Sequence, residues 1–246
     1  MTQFMNLVNE HHQTSLSNYS ELHQWSIKSK DLFWSELASY SDILFSAPWE
    51  SVVTNKKQFP GFEWFSGSRL NFSENLLRHA TSLADRDAIV FLGENQQRRS
   101  LSYSELQIQV AKLASHLRSI GVQAGDRVVG FIPNLPEAIV AMLATTSIGA
   151  VWSSCSPDFG LNAVLDRFGQ IKPSVLFCSD GYYFKGKAFN KLGLLKTLTK
   201  TLASLKLVVV VPYIQAEPDI SMLPKSVLFN KLLESCDTTE INYEQL

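Results

Sequence analysis

Two short segments of the sequence combine residue types that could contact a bound ligand. The first, VWSSCSPDFG at residues 151–160, begins as an apolar strand and ends in hydroxyl, thiol and carboxylate side chains. Small side chains at a strand end leave room for a ligand and let it approach the backbone. Because Ser, Pro, Asp and Gly also form turns, the spacing alone favours a turn over a binding site.

The second segment, GYYFKGKA at residues 181–188, has the glycine and lysine spacing of a phosphate-binding loop. Ala188 stands where such a loop carries the hydroxyl that holds Mg²⁺, and bulky aromatic residues crowd the loop, so we reject that interpretation. Lys185 and Lys187 could still present point charges to a phosphate group. The alternative is that both are solvated lysines at the start of a helix.

Other reactive side chains favour structural interpretations. Cys155, at the end of the first segment, is a possible nucleophile, but such a cysteine more often acts as a small buried apolar residue. Adjacent Arg98 and Arg99 are interpreted as a solvated charge pair on a hairpin. The histidines show no metal-ligand spacing, so we predict no metal-ligating residue and assign no catalytic residue.

Composition and charge narrow the class of protein. The chain has 246 residues, is 45% hydrophobic and carries a net charge of −1, which gives no electrostatic reason to expect nucleic acid or membrane partners. Its first residues lack the basic start and apolar core of a signal peptide, so we expect none, and its longest apolar run is too short to span a bilayer. Three widely spaced cysteines indicate reduced thiols. We therefore expect a cytoplasmic protein.

From residue 87 onward, apolar segments of strand length alternate with helical patterns. Ser104 and Gln107 have the spacing of a capping box, Asn134 is a candidate cap for the next helix, and Gly121 and Gly149 follow the two helices. The predicted strands are residues 88–92, 99–103, 127–133, 151–155, 174–179 and 207–213, and the later helices are 161–171, 188–205 and 227–233. This alternation predicts an α/β fold: a mostly parallel sheet with helices on both faces.

The first eighty residues follow a different pattern. Apolar residues at helical spacing predict one or two helices within residues 19–40. A dense aromatic stretch follows, and we expect it to be irregular but packed; it contains Trp49, Phe59, Phe62, Trp64 and Phe65. Asn71 and Glu74 then predict a capped helix at residues 72–79. We expect a helical and irregular segment at residues 1–80 and an α/β domain at residues 81–246.

Three stretches of the sequence resemble stretches of a known enzyme family. WFSGSRLNFSENLL (residues 64–77), residues 101–160 and VLDRFGQIKPSVLFCSDGYYFKGK (residues 164–187) resemble the adenylate-forming synthetases, and within them the acetoacetate–CoA ligases rather than the acetyl-CoA synthetases. The resemblance covers roughly residues 19–246. It implies the N-terminal part of the ligase fold, with an incomplete AMP-binding domain.

The resemblance implies an AMP-forming acyl-CoA synthetase. Such an enzyme joins acetoacetate or a similar short acid to CoA, uses ATP and Mg²⁺, and releases AMP and pyrophosphate. The family's phosphate loop, adenine-reading segment, ribose-binding Asp and catalytic-lysine domain have no counterpart in this sequence. The resemblance therefore implies a chain that is inactive alone and contacts only CoA. The alternative is a non-catalytic CoA-binding or partner-binding module from a truncated transcript.

Residue by residue, the resemblance assigns a candidate CoA site. It implies that the turn of Ser156, Pro157 and Asp158 lies beside the adenine of CoA, and that Lys185 and Lys187 meet its phosphate end. The family's paired arginines correspond to Phe184 and Lys187, so only one of the two positions is basic here.

Overall fold

Helices α1 (Thr2–His12), α2 (Tyr19–Lys28) and α3 (Lys30–Tyr40) begin the chain and share a small apolar core. The core is built on Phe4, Val8 and Leu22. Helices α2 and α3 confirm the prediction for residues 19–40, while α1 was not predicted. The computed structural model describes residues 1–55, 58 and 60–246. By internal contacts these residues form two units, residues 1–70 with 245–246 and residues 71–244.

The aromatic stretch that follows is more regular than predicted. Strands β1 (Ser51–Thr54) and β2 (Glu63–Ser66) pair as an antiparallel hairpin. Trp49 packs edge-on against Phe65 of β2, with 5.3 Å between ring centroids. Aromatic side chains that cover such a hairpin stabilise it. This explains why so many aromatic residues lie in and next to this strand pair. Phe59, part of the predicted irregular segment, lies outside the described residues.

The second unit begins with helix α4 (Phe72–Leu77), which is shorter than the predicted 72–79. Its cap is Asn71, as predicted: the side-chain oxygen accepts hydrogen bonds from the backbone N–H groups of Ser73 and Glu74. The Asn71 amide nitrogen donates to the carbonyl oxygens of Thr146, Ser147 and Glu244 at 2.8 to 3.1 Å. This buried side chain therefore joins three segments that are distant in sequence.

Strands β3 (Asp87–Leu92) and β4 (Arg98–Ser102) form the predicted hairpin and lead into helix α5 (Tyr103–Ser119). The predicted capping box at Ser104 and Gln107 is wrong by two residues. Ser102 is the cap, and Glu105 closes the box by accepting from the Ser102 backbone N–H at 2.8 Å. Strand β4 ends at Ser102, one residue earlier than predicted, and the helix begins at the next residue.

A parallel five-stranded sheet occupies the centre of the second unit. The elements in chain order are β5 (Arg127–Phe131), α6 (Pro136–Ser147), β6 (Val151–Cys155), α7 (Leu161–Ile171), β7 (Val175–Ser179), β8 (Gly181–Phe184), β9 (Lys187–Asn190), α8 (Leu192–Thr201), β10 (Leu207–Val211), β11 (Ser226–Leu228) and α9 (Phe229–Glu234). The sheet order is β11-β10-β7-β5-β6, and every pairing in it is parallel. This confirms the predicted fold class.

Both faces of the sheet are covered. Neighbouring residues on one strand point to opposite cores: Val128 packs in the core that contains α5, α6 and α9, and Val129 in the core that contains α7 and α8. Strands buried on both faces must be apolar throughout, which is why these segments appear as short continuous apolar runs in the sequence.

Several predicted boundaries of the later elements are wrong. The predicted helix at 188–205 begins only at Leu192, because residues 181–190 form the β8–β9 hairpin. Asn134 does not cap α6; the cap is Leu135, and Pro136 occupies the first helical position. The first residues of the predicted 227–233 helix instead form β11. In the first and third cases strand pairing overrides the local helical pattern.

No helix among the residues that the structure describes is long and apolar enough to cross a membrane.

We predict that Asn71→Asp lowers the free energy of unfolding by about 3 kcal/mol. A carboxylate can still cap α4, but it places negative charge against three carbonyl oxygens that now receive an amide N–H. Urea unfolding measures the change. Asn95→Asp is the matched control because Asn95 is exposed and its acceptor role toward the Gln97 N–H is retained. Equal losses in the two variants would contradict the role assigned to Asn71.

Candidate functional site

A cavity of about 650 Å³ opens at the carboxyl ends of the parallel strands. Its wall consists of residues 91–94, 132–134, 154–158 and 182–184, together with Tyr213. The segments that follow β5, β6 and β10 meet because the sheet is parallel, and the β3–β4 and β8–β9 hairpins supply the remaining wall residues. Open α/β sheets bind ligands at this edge, and the volume is typical of small-molecule sites.

The first predicted segment forms one wall of this cavity. Strand β6 is parallel to β5, as expected, but lies at the edge of the sheet. Ser156 and Asp158 are exposed, Pro157 is buried, and all three line the cavity. The Phe159 N–H donates to the Ser156 carbonyl oxygen at 3.3 Å, which closes a turn. The sequence left a turn and a binding site as alternatives for this segment. The structure shows that the segment is a turn and that this turn faces a cavity.

The two predicted lysines lie elsewhere. Lys185 and Gly186 have φ of 50° and 75° and form the tip of the β8–β9 hairpin, the geometry of a two-residue hairpin turn. The segment is thus a strand-turn-strand unit, and Lys187 lies on a strand rather than at a helix start. Both lysines are exposed, and neither lines the cavity. Phe184 does line it, and the Lys185 ammonium lies 5.3 Å from the centroid of the Phe184 ring.

Lys191 is a cation near the cavity that the sequence patterns missed. Its ammonium lies 5.3 Å from the ring centroid of Tyr182, a cavity residue. Burial lowers the pKa of Lys191, and the carboxylate of Asp158 offsets part of that change. Lys191 belongs to no recognisable motif; it is placed by its backbone N–H, which donates to the Asp180 carbonyl oxygen at 2.8 Å.

Asp180 organises the loop that follows β10. Its carboxylate is fully buried and accepts hydrogen bonds from the backbone N–H groups of Tyr213, Ile214 and Gln215 at 2.8 to 3.1 Å. These bonds turn the chain at the strand end and hold Tyr213 beside the cavity. The sequence signal for this role is an aspartate directly after a buried strand, and the sequence patterns considered above do not include it.

Aromatic rings form the opposite part of the wall. Tyr183 and Tyr213 meet edge-on with centroids 5.2 Å apart, and Phe91 lies edge-on to Tyr213 at 6.3 Å. Burial raises the pKa of Tyr213; Tyr183 adds to the rise, and Arg99 opposes it. The phenol is therefore neutral at physiological pH, so its hydroxyl can donate or accept a hydrogen bond.

Cys155 lines the cavity but is only 7% exposed. Burial raises the pKa of its thiol, although Arg167 opposes the rise. The raised pKa disfavours the thiolate that a nucleophile needs. The structure thus agrees with the interpretation of Cys155 as a small buried side chain. In the part of the chain that the structure describes, no three His, Cys, Asp or Glu residues are placed to hold a metal ion.

Comparison with known proteins gives the family. Residues 76–235 match the family model described as AMP-binding enzyme, and residues 19–76 match the acetyl-coenzyme A synthetase N-terminus. The chain belongs to the AMP-binding enzyme family.

Within that family the similarity is to acetoacetyl-CoA synthetases. The proteins of that name from Macaca fascicularis and Gallus gallus are each 42% identical to this chain, over 94% of it and 35% of their own length. The solved structure of acetoacetyl-CoA synthetase from Streptomyces lividans superposes with a TM-score of 0.92 at 37% identity, covering 100% of this chain and 37% of that one. The chain thus spans about a third of the length of the relatives it matches.

We predict that alkylation by iodoacetamide at pH 8 follows the order Cys236, Cys155, Cys178. Cys236 is half-buried, whereas burial raises the thiol pKa of both other residues, and for Cys178 the nearby Asp180 adds to the rise. Because only the thiolate reacts, a raised pKa slows alkylation at this pH. Peptide mass spectrometry over time measures the three rates. Faster modification of Cys155 than of Cys236 would restore it as a candidate nucleophile.

Proposed function

We propose that this chain is the N-terminal part of an AMP-forming acetoacetate–CoA ligase, and that its cavity at the carboxyl edge of the sheet binds CoA. The whole enzyme would convert acetoacetate or a similar short acid, ATP and CoA into acyl-CoA, AMP and pyrophosphate. The observation that carries the CoA assignment is the turn at residues 156–158, which lines the cavity at the position that the family resemblance assigns to CoA. A cytosolic location belongs to the same proposal, supported by three free cysteines.

The chemistry of the wall suits a nucleotide with a long polar tail. A nucleobase has flat apolar faces and polar edges, and the cavity offers aromatic rings at Tyr182 and Tyr183 and small polar groups at Ser156 and Asp158. Phosphate groups need cations: Lys185 directly follows the wall residue Phe184, and Lys187 pairs with Phe184 across the hairpin. The base would therefore lie inside the cavity and the phosphates at its rim.

The described residues would bind and orient CoA, not activate the acid. Adenylation replaces a poor leaving oxygen by a good one and needs cations and donors around the phosphates of ATP. Residues 1–246 contain no Ser/Thr/Gly-rich loop that ends in Pro-Lys. The described residues also include no cluster suited to Mg²⁺. No step of the adenylation is therefore assigned to them.

The first test measures activity. The purified 246-residue chain, given acetoacetate, ATP, Mg²⁺ and CoA, should release no AMP above the rate without enzyme. The acetoacetyl-CoA synthetase from Streptomyces lividans is the positive control. Turnover by the isolated chain near the control rate would show that these residues contain an ATP site that we have not found.

The second test measures CoA binding by calorimetry. We expect CoA to bind, and Lys187→Gln to weaken it about threefold and to reduce its salt dependence, because one charge contact with phosphate is lost. Lys196→Gln, an exposed lysine on α8, is the matched control and should bind as the unaltered chain does. An absence of heat with CoA across salt concentrations would refute the assignment of the cavity.

A further inference from the structure

Arg99 makes the most closely defined charged contact beside the cavity. Its Nη1 and Nη2 atoms donate to Oε1 and Oε2 of Glu137 at 2.7 and 3.0 Å. The side chains are 32% and 16% exposed, so the pair is partly shielded from water. The interpretation of Arg99 as a solvated hairpin residue is therefore wrong. A two-point contact of this kind fixes orientation as well as distance.

The same guanidinium supports an aromatic wall residue. Arg99 lies directly across the hairpin from Phe91, and its Cζ is 5.2 Å from the centroid of the Phe91 ring. Phe91 lines the cavity and meets Tyr213 edge-on, which in turn meets Tyr183. Contacts therefore run without a break from the Glu137 carboxylate, through Arg99, to three rings of the wall.

The hairpin is not part of the parallel sheet, although Ile89, Phe91 and Leu101 pack against the core that contains α5 and α6. Among the residues that the structure describes, strands β3 and β4 pair only with each other, and a two-stranded hairpin needs contacts with other elements to be stable. Glu137 lies in the first turn of α6, which starts just after the cavity residues 132–134. The ion pair thus ties the hairpin to the element that extends from the end of β5.

We propose that Arg99 is a positioning residue for CoA: by holding the β3–β4 hairpin to the first turn of α6, it sets the aromatic wall against which the nucleotide packs. The inference rests on the proposed function for the identity of the ligand. The placement of the wall by the ion pair does not depend on it.

The first experiment is CoA calorimetry on Arg99→Lys. Lysine keeps the charge but cannot make the two-point contact, so we expect about tenfold weaker binding of CoA. Arg98→Lys is the matched control: it is the preceding residue on β4, is 62% exposed, and has its Nη2 3.7 Å from Asp87. It should bind as the unaltered chain does. Equal affinity of Arg99→Lys and the unaltered chain would overturn the proposal.

The second experiment tests the placement of the wall without a ligand. The chain is labelled with 3-fluorotyrosine, and the Tyr213 ¹⁹F resonance is assigned by Tyr213→Phe. Arg99→Lys and Glu137→Gln should each move this resonance, because Phe91 changes position beside the ring, and Arg98→Lys should not. A cooperative urea-unfolding transition of the second unit, which carries both substitutions, shows that each variant remains folded.

The outcomes separate the two proposals. If the unaltered chain does not bind CoA but the Tyr213 resonance moves as expected, the proposed function fails and the positioning of the wall by Arg99 stands. If CoA binds but neither the affinity nor the resonance responds to Arg99→Lys, the proposed function stands and the inference about Arg99 is wrong.

Discussion

Burial of the parallel sheet on both faces is the constraint on which the rest of the second unit depends. A strand such as β10, with Val208 and Val210 in one core and Val209 and Val211 in the other, has no position for a polar side chain until it ends. Polar and charged groups therefore collect at the strand ends. In a parallel sheet the carboxyl ends share one edge, so residues from β5, β6 and β10 meet there. The cavity is the consequence of that topology.

Asp180 shows how one buried charge can be retained at this edge. Transfer of a carboxylate from water to the protein interior is costly unless hydrogen bonds replace its hydration. Three backbone N–H groups do so here, and each would otherwise be left without an acceptor where β10 ends. The backbone carbonyl oxygen of Asp180 also accepts from the N–H of Lys191, the residue that follows the β8–β9 hairpin. Asp180 thus joins the loop that carries Tyr213, through its side chain, to the segment that carries Lys191, through its backbone.

The sequence predicts those features that depend on local periodicity. Residues 128–131 and 207–211 are apolar runs of strand length, residues 151–155 begin as one, and all three segments lie in parallel strands. The sequence does not predict features that depend on contacts between residues distant from one another in the chain. The helical pattern at residues 188–190 is overridden by pairing with β8, and nothing in the sequence around Arg99 indicates that Glu137 lies beside it. The turn at Ser156 to Asp158 was located by its strand, whereas the position of Lys185 and Lys187 at a hairpin tip, outside the residues that line the cavity, depends on the pairing of β8 with β9.

The distribution of charge around the cavity limits how an anionic ligand can be oriented. Glu94 and Asp158 line the wall, whereas Lys185 and Lys187 lie at the exposed hairpin tip. Phosphate groups placed deep in the cavity would face carboxylates, and the repulsion is strongest where water is excluded. At the rim the same groups would meet the lysines, although exposed cations attract weakly and the attraction falls with salt. A nucleotide bound as we propose would therefore have its base against the aromatic rings and its phosphates outward. Affinity in this arrangement depends on how well the wall fits the base, which is why the placement of Phe91 matters more than the number of lysines.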